Sequence, residues 1–288
     1  MEYEGALAPA KVNLTLAVTG RRSDGYHLLD SVVAFTDFGD RISVMPAEEV
    51  TLAVDGPFAA GVPVDEGNLV FRAAQILRQS VAGREGAAIR LTKNLPVASG
   101  IGGGSSDAAQ TLLLLDRMWE TGLSRTDLAS LALMLGADVP VCLEGRACRM
   151  RGIGERVDLL RLPECGIVLV NPMVPCSTAA VFKRRDGAFS PMPDDLPDLS
   201  TLSGLCIAVD QVGNDLLTPA ISECPEIGVV LAALEGVPGI RAHGMSGSGA
   251  TCFGLFDDAA TAKRASDALR TAQQAANWWV HAGVIAGD

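Results

Sequence analysis

Between Pro96 and Ala109 the chain reads P-V-A-S-G-I-G-G-G-S-S-D-A-A and runs straight into an apolar helical pattern from Thr111 to Trp119. Glycines without a Cβ let successive backbone N–H groups close on an anion. A helix that starts there adds its own unpaired N–H groups and the positive end of its dipole. Gly100, Ile101, Gly102, Gly103, Gly104, Ser105 and Ser106, led in by Pro96, therefore form a candidate loop for nucleotide phosphates. Two common phosphate fingerprints do not fit. No lysine follows the glycines, which excludes G-x-x-x-x-G-K-[ST], and a G-x-G-x-x-G frame from Gly100 fails at Ser105. The loop is of a third kind, with serine hydroxyls available to phosphate or Mg²⁺.

Four further constellations carry chemistry-capable side chains. Ala10-Lys11-Val12-Asn13-Leu14 places Lys11 and Asn13 on one side of a strand. Asp24-Gly25-Tyr26-His27 offers a turn from which a phenol ring and an imidazole project. Such a pair can clamp a planar base by stacking and hydrogen bonding; the plain alternative is a turn with a half-buried tyrosine and a surface histidine. Gly136-Ala137-Asp138-Val139-Pro140 sets Asp138 just past a helix, among small and apolar residues. There a carboxylate can orient or deprotonate a hydroxyl, or simply close a turn. His243 to Ala250, with Gly247 at its centre, is a second glycine run between apolar strands, which a long hairpin turn explains nearly as well.

Composition narrows the partners. The 288 residues carry a formal net charge of −11, which repels nucleic acid and anionic membranes. The longest basic run, Lys183-Arg184-Arg185, is ended by Asp186 and reads as a solvated helix end. No run approaches the roughly 18 apolar residues of a membrane span. Glu2 and Glu4, without an apolar stretch behind them, do not read as a signal peptide. The seven cysteines contain no C-x-x-C pair and suggest reduced, mostly buried thiols. The three histidines show no H-E-x-x-H or Cys/His ligand spacing, so a zinc site is not expected. The expectation is a cytoplasmic protein, monomer or homodimer, that acts on a small molecule and binds neither nucleic acid nor membrane.

The elements that must position these residues follow from periodicity and turn signals. Strands are expected over 6–19, 31–37 and 41–46, then a helix over 69–77 with Asn68 as its cap. A strand over 87–93 feeds the glycine loop. Ser124 and Asp127 read as a capping box for a helix over 128–135, which Gly136 stops. A hairpin over 145–160, a buried strand over 167–170 and a short helix over 178–183 come next. A Pro- and Asp-rich loop spans 186–198. Helical patterns at 214–222, 225–235 and 258–275 alternate with strands at 240–242, 251–256 and 278–285. The irregular alternation indicates an α+β fold, with a soft boundary near residue 160.

Taken together, these pieces resemble the galactose–homoserine–mevalonate–phosphomevalonate (GHMP) kinase superfamily. Three motifs appear in its order: P-A-K-V-N from Pro9, G-I-G-G-G-S-S-D-A-A from Gly100, and G-M-S-G-S-G-A from Gly244. Gly20-Arg21-Arg22-Ser23-Asp24-Gly25-Tyr26-His27 and Leu135 to Pro140 resemble the branch that acts on a cytidine-diphosphate-linked methylerythritol. The resemblance implies a ribosomal protein S5-like N-terminal ATP-binding domain over 1–160, an α/β C-terminal domain over 161–288, and an active site between them. It implies ATP and Mg²⁺, and transfer of phosphoryl to the substrate's 2-hydroxyl in the non-mevalonate route to isopentenyl diphosphate. Lys11 and Asp138 match the catalytic pair. Asn13, Tyr26, His27 and Gly247 match substrate-facing positions, with His27 at the cytosine and Phe182 as a second aromatic face. Gly100 to Ser106 match the phosphate loop, and Asn68 and Lys93 match positions near the adenine. Ser105 or Ser106 are candidates for Mg²⁺, and Asn214-Asp215 resembles a supporting pair. Two departures stand out: Val97-Ala98-Ser99 replaces a more glycine-rich opening, and no glutamate is evident as a second Mg²⁺ ligand. The competing readings are a superfamily kinase for mevalonate, homoserine or a sugar, and a nucleotide-binding protein without catalysis.

Overall fold

The fold is known from a computed structural model, which describes residues 4–81, 85–190, 195–272 and 277–285. The chain forms two compact units that interleave in sequence. The first contains the described residues among 1–10, 38–97 and 102–145; the second contains those among 11–37, 98–101 and 146–288. No single boundary near residue 160 separates them, because two long strands, β1 (Glu4–Asn13) and β3 (His27–Ala47), each give one part to either unit. The chain passes between units again inside the glycine loop, after Ile101.

In the first unit, the C-terminal half of β3 pairs antiparallel with β5 (Gly86–Thr92), from Arg41 opposite Thr92 to Ala47 opposite Gly86. Strand β4 (Thr51–Asp55) runs parallel to β5 on its other side. Helix α1 (Leu69–Ser80) buries Val70, Ala73, Ala74 and Leu77, an i, i+3, i+4, i+7 stripe, and packs on α2 (Gly103–Trp119). Helices α3 (Arg125–Leu135) and α4 (Val139–Glu144) complete the layer. The capping box on α3 is present, with Asp127 N donating to Ser124 Oγ and Ser124 N to Asp127 Oδ2. Helix α4 was not legible in the sequence because of Pro140. It sits in the first turn, where a missing N–H costs nothing.

In the second unit, the N-terminal half of β3 pairs with β2 (Ala17–Arg21) and with β6 (Cys148–Gly152), which forms a hairpin with β7 (Arg156–Leu159). The strand β8 (Cys165–Asn171) is buried along its whole length, which accounts for its unbroken apolar run. It lies between β10 (Cys252–Phe256) and β11 (Trp279–Ile285), with β9 (Ala242–Met245) outside β10, all antiparallel. Around them pack α5 (Thr178–Arg184), α6 (Leu202–Val212), α7 (Leu217–Glu223), α8 (Glu226–Glu235) and α9 (Ala259–Thr271). Val168, Val170, Phe256, Ile227, Val230 and Leu234 form the centre of this core.

Three expectations change. The strands expected at 31–37 and 41–46 are one, since Phe38-Gly39-Asp40 stays extended within β3. Helix α6, capped by Thr201, begins directly behind the Pro- and Asp-rich stretch that hid it. Of the basic run, Lys183 and Arg184 are exposed, but the Arg185 side chain is buried and lies 3.8 Å from Asp215. The expected exposed loop over 186–198 and helix over 258–275 each fall partly outside the described residues. All seven cysteines are free and buried. Among the described residues no helix is long and apolar enough to cross a membrane.

Candidate active site

In the second unit, the three motifs converge on one serine. Ser246 sits in the turn between β9 and β10 and is fully buried. Its Oγ donates to Gly100 O (2.9 Å) and accepts from Asn13 N (3.0 Å). Lys11 N donates to Ile101 O (2.9 Å), and Thr251 N donates to Ser99 O (3.1 Å). The strand carrying Lys11 and Asn13, the opening of the glycine loop and the second glycine run are therefore one hydrogen-bonded assembly. Gly100 is required there: its φ is +78°, and a Cβ would fall 2.5 Å from Gly249 O. Asn214 braces the same turn, donating from Nδ2 to Met245 O (2.8 Å) and Gly247 O (2.9 Å). Asp215 accepts from Val18 N (2.7 Å) and Ser190 Oγ (3.1 Å). Both side chains thus tie down backbone in this unit.

Lys11 and Asn13 are buried on the last residues of β1. The Asn13 amide donates to Ser31 Oγ (2.7 Å), and Ser31 donates in turn to Thr15 O (2.5 Å). Tyr26 is 62% exposed at a tight turn in which its own N–H meets Asp24 Oδ1 (3.2 Å). His27 stacks on Phe182 of α5, with ring centroids 4.9 Å apart and planes 24° from parallel. The ring that Phe182 meets is thus that of His27. Burial, then the positive charges of Arg21 and Arg185, hold His27 below the ordinary histidine pKa.

In the first unit, Gly103 and Gly104 open α2, after Gly102 in the left-handed conformation. No side chain caps this helix. Its first N–H groups have no intrahelical acceptor, which suits an anion. Ser105 is half-buried. Ser106 is fully buried, and its hydroxyl has no hydrogen-bond partner among the described residues. Asn68 caps α1, accepting from Val70 N (2.9 Å) and donating to Pro63 O (2.7 Å). Asp138 occupies the cap position of α4 without capping it through its side chain. It lies ahead of a helix as well as behind one, a placement hidden with α4 itself.

Lys93 is buried between two carboxylates. Its ammonium donates to Asp40 Oδ2 and to Asp107 Oδ2, the latter at 2.9 Å. Burial opposes its charge, but Asp107 and Asp40 outweigh it and raise the lysine pKa. Burial pushes Asp107 up to about 8, with Lys93 opposing and Asp40 adding. Nothing in the sequence pointed to Asp40. It stands 53 residues before Lys93, in a D-F-G-D stretch that looks like a turn.

Comparisons with known proteins identify the family. Residues 68–146 match the GHMP kinases N-terminal domain and residues 206–275 the GHMP kinases C-terminal domain. The chain belongs to the GHMP kinase family. Proteins from two strains of Cereibacter sphaeroides are 50% and 53% identical to it, covering 98% and 96% of this chain and 99% and 96% of their own lengths. Both are named 4-diphosphocytidyl-2-C-methyl-D-erythritol kinase. A crystal structure of 4-(cytidine 5'-diphospho)-2C-methyl-D-erythritol kinase superposes with a TM-score of 0.81 at 34% identity, over 99% of this chain and all of the other.

Proposed function

We infer that this chain transfers the γ-phosphoryl group of ATP to the 2-hydroxyl of 4-diphosphocytidyl-2-C-methyl-D-erythritol, giving the 2-phosphate and ADP on the route to isopentenyl diphosphate. One observation carries this reading. About half of the aligned residues are identical over nearly the full length of relatives that bear this substrate in their names. Such transfer passes through a loose transition state, so positioning and charge neutralisation supply most of the catalysis. The free N–H groups at the start of α2 are fixed dipoles for the phosphate oxygens. In this reading Lys11 neutralises the transferring group. Asp138 orients the 2-hydroxyl and takes its proton late, as the new P–O bond forms and the bond to the ADP oxygen breaks. Asn68, Lys93 and Pro96 belong to the nucleotide side; Asn13, Tyr26, His27, Phe182 and Gly247 belong to the acceptor side. The Ser106 hydroxyl, unpartnered among the described residues, and Ser105 beside it would hold Mg²⁺, which would supply positive charge to the phosphates.

A coupled ADP-release assay tests the reading. Turnover is expected with the cytidine-linked methylerythritol and not with mevalonate, homoserine or galactose. A preference for one of those three would overturn the substrate. ADP release with none of the four would favour the non-catalytic alternative.

A further inference from the structure

Asp40 belongs to none of the three motifs, yet it is fully buried and uses both oxygens. Oδ1 accepts from Asn94 N (2.6 Å) and Leu95 N (2.8 Å), immediately before the phosphate loop opens at Pro96. Oδ2 accepts from Lys93 Nζ, which also holds Asp107 on the second turn of α2, immediately after the loop. Gly103 lies over this cluster: a Cβ there would stand 3.4 Å from Lys93 Nζ and 3.5 Å from Asp40 Oδ2. The charge balance is informative. One buried ammonium needs one carboxylate; a second adds desolvation cost. Electrostatics alone does not account for Asp40, whereas geometry does.

We propose that Asp40 is a positioning residue for nucleotide binding, closing with Lys93 and Asp107 a buried clasp that holds the entry and exit of the phosphate loop at a fixed span. The clasp rests on the reading of 96–106 as the phosphate loop. Asp40 itself acts through Lys93 and the backbone of residues 94 and 95 and touches neither substrate.

Asp40→Asn tests it. The asparagine oxygen still accepts from Asn94 and Leu95, while the link to Lys93 is lost. Lys93 keeps Asp107, so no buried charge is stranded and folding is retained. By analogy with the cost of small misplacements, Kd and KM for ATP should rise about tenfold. At saturating ATP, kcat and the KM for the cytidine-linked substrate should stay within about twofold. Asp107→Asn, which weakens the exit end, should show the same split and decides the matter if Asp40→Asn does not fold. A folded variant with wild-type ATP affinity would overturn the clasp, as would losses spread evenly over kcat and both KM values. Failure of both variants to fold would make the cluster a folding element and also overturn it. Gly104→Val separates the two readings. If it binds ATP like the wild type, the phosphate-loop reading fails. If it loses ATP while Asp40→Asn does not, only the clasp fails.

Discussion

The chain has two glycine-rich loops of similar composition, and they do different work. In the second, between β9 and β10, the backbone is packed on all sides: a Cβ on Gly249 would meet Ile227 and Met245 at 3.0 Å, and Asn214 ties down two of the carbonyls. In the first, the part around Gly100 is equally enclosed, but the part at the start of α2 is open. Gly104 is exposed, and the nearest atom to a Cβ there is Leu69 Cδ1 at 3.7 Å. Glycine serves close backbone approach in one place and leaves open space in the other. Glycine density alone does not tell the two apart. The element behind each loop does: a strand after one, a long uncapped helix after the other.

The largest expected effect lies outside both loops. In the proposed mechanism Asp138 takes the hydroxyl proton, so Asp138→Asn should lower kcat by about 10²–10⁴-fold with substrate binding largely kept. Near wild-type kcat in a steady-state assay would remove Asp138 from the chemistry. Next comes Gly100→Ala, which combines a left-handed φ with overlap of two backbone carbonyls. A stability loss of about 3 kcal/mol or more is expected in urea unfolding. An unchanged midpoint would erase the distinction between the enclosed and open parts of the first loop.

Smaller effects concern the base. Tyr26 is exposed, so its loss should cost little folding stability and report on ligand alone. Tyr26→Ala should raise KM for the cytidine-linked substrate about tenfold, the value of one stacked ring, and leave KM for ATP nearly unchanged. The reverse pattern would place the nucleotide, not the acceptor, at this turn. The smallest effect is with pH. His27 titrates below its ordinary value of 6.5, so at pH 7 it is neutral and keeps one acceptor nitrogen. Lowering the pH through that depressed pKa adds a proton and removes the acceptor. KM for the cytidine-linked substrate should rise on acidification with a midpoint below 6.5. A rise already complete at 6.5 would contradict this, and NMR titration of the His27 ring would check it.

Local signals were legible in the sequence where the chain obeys them. The α1 stripe and its Asn68 cap, the Ser124–Asp127 box and the continuous apolar run of β8 all announce themselves within a few residues. The missing pieces depend on distance or on a misleading residue. Pro140 hid α4, and the stretch before Thr201 hid α6. The partnership of Ser246 with Asn13 spans 233 residues, and that of Asp40 with Lys93 spans 53; no spacing rule reaches so far. The motifs drew attention to the loop from Gly100 to Ser106. They did not reveal what holds the loop in place.

The most direct test is a calorimetric titration of Gly104→Val with ATP, alongside a thermal melt. A Cβ there meets only Leu69 Cδ1, at 3.7 Å, and valine is no worse a helix former than glycine, so the melting temperature should not fall. If the phosphates approach the N–H groups at the start of α2, as proposed, ATP binding should weaken at least about tenfold, the equivalent of one lost charge-assisted hydrogen bond. Unchanged affinity in a folded variant would mean that the open glycines are only a turn, and that the nucleotide binds elsewhere.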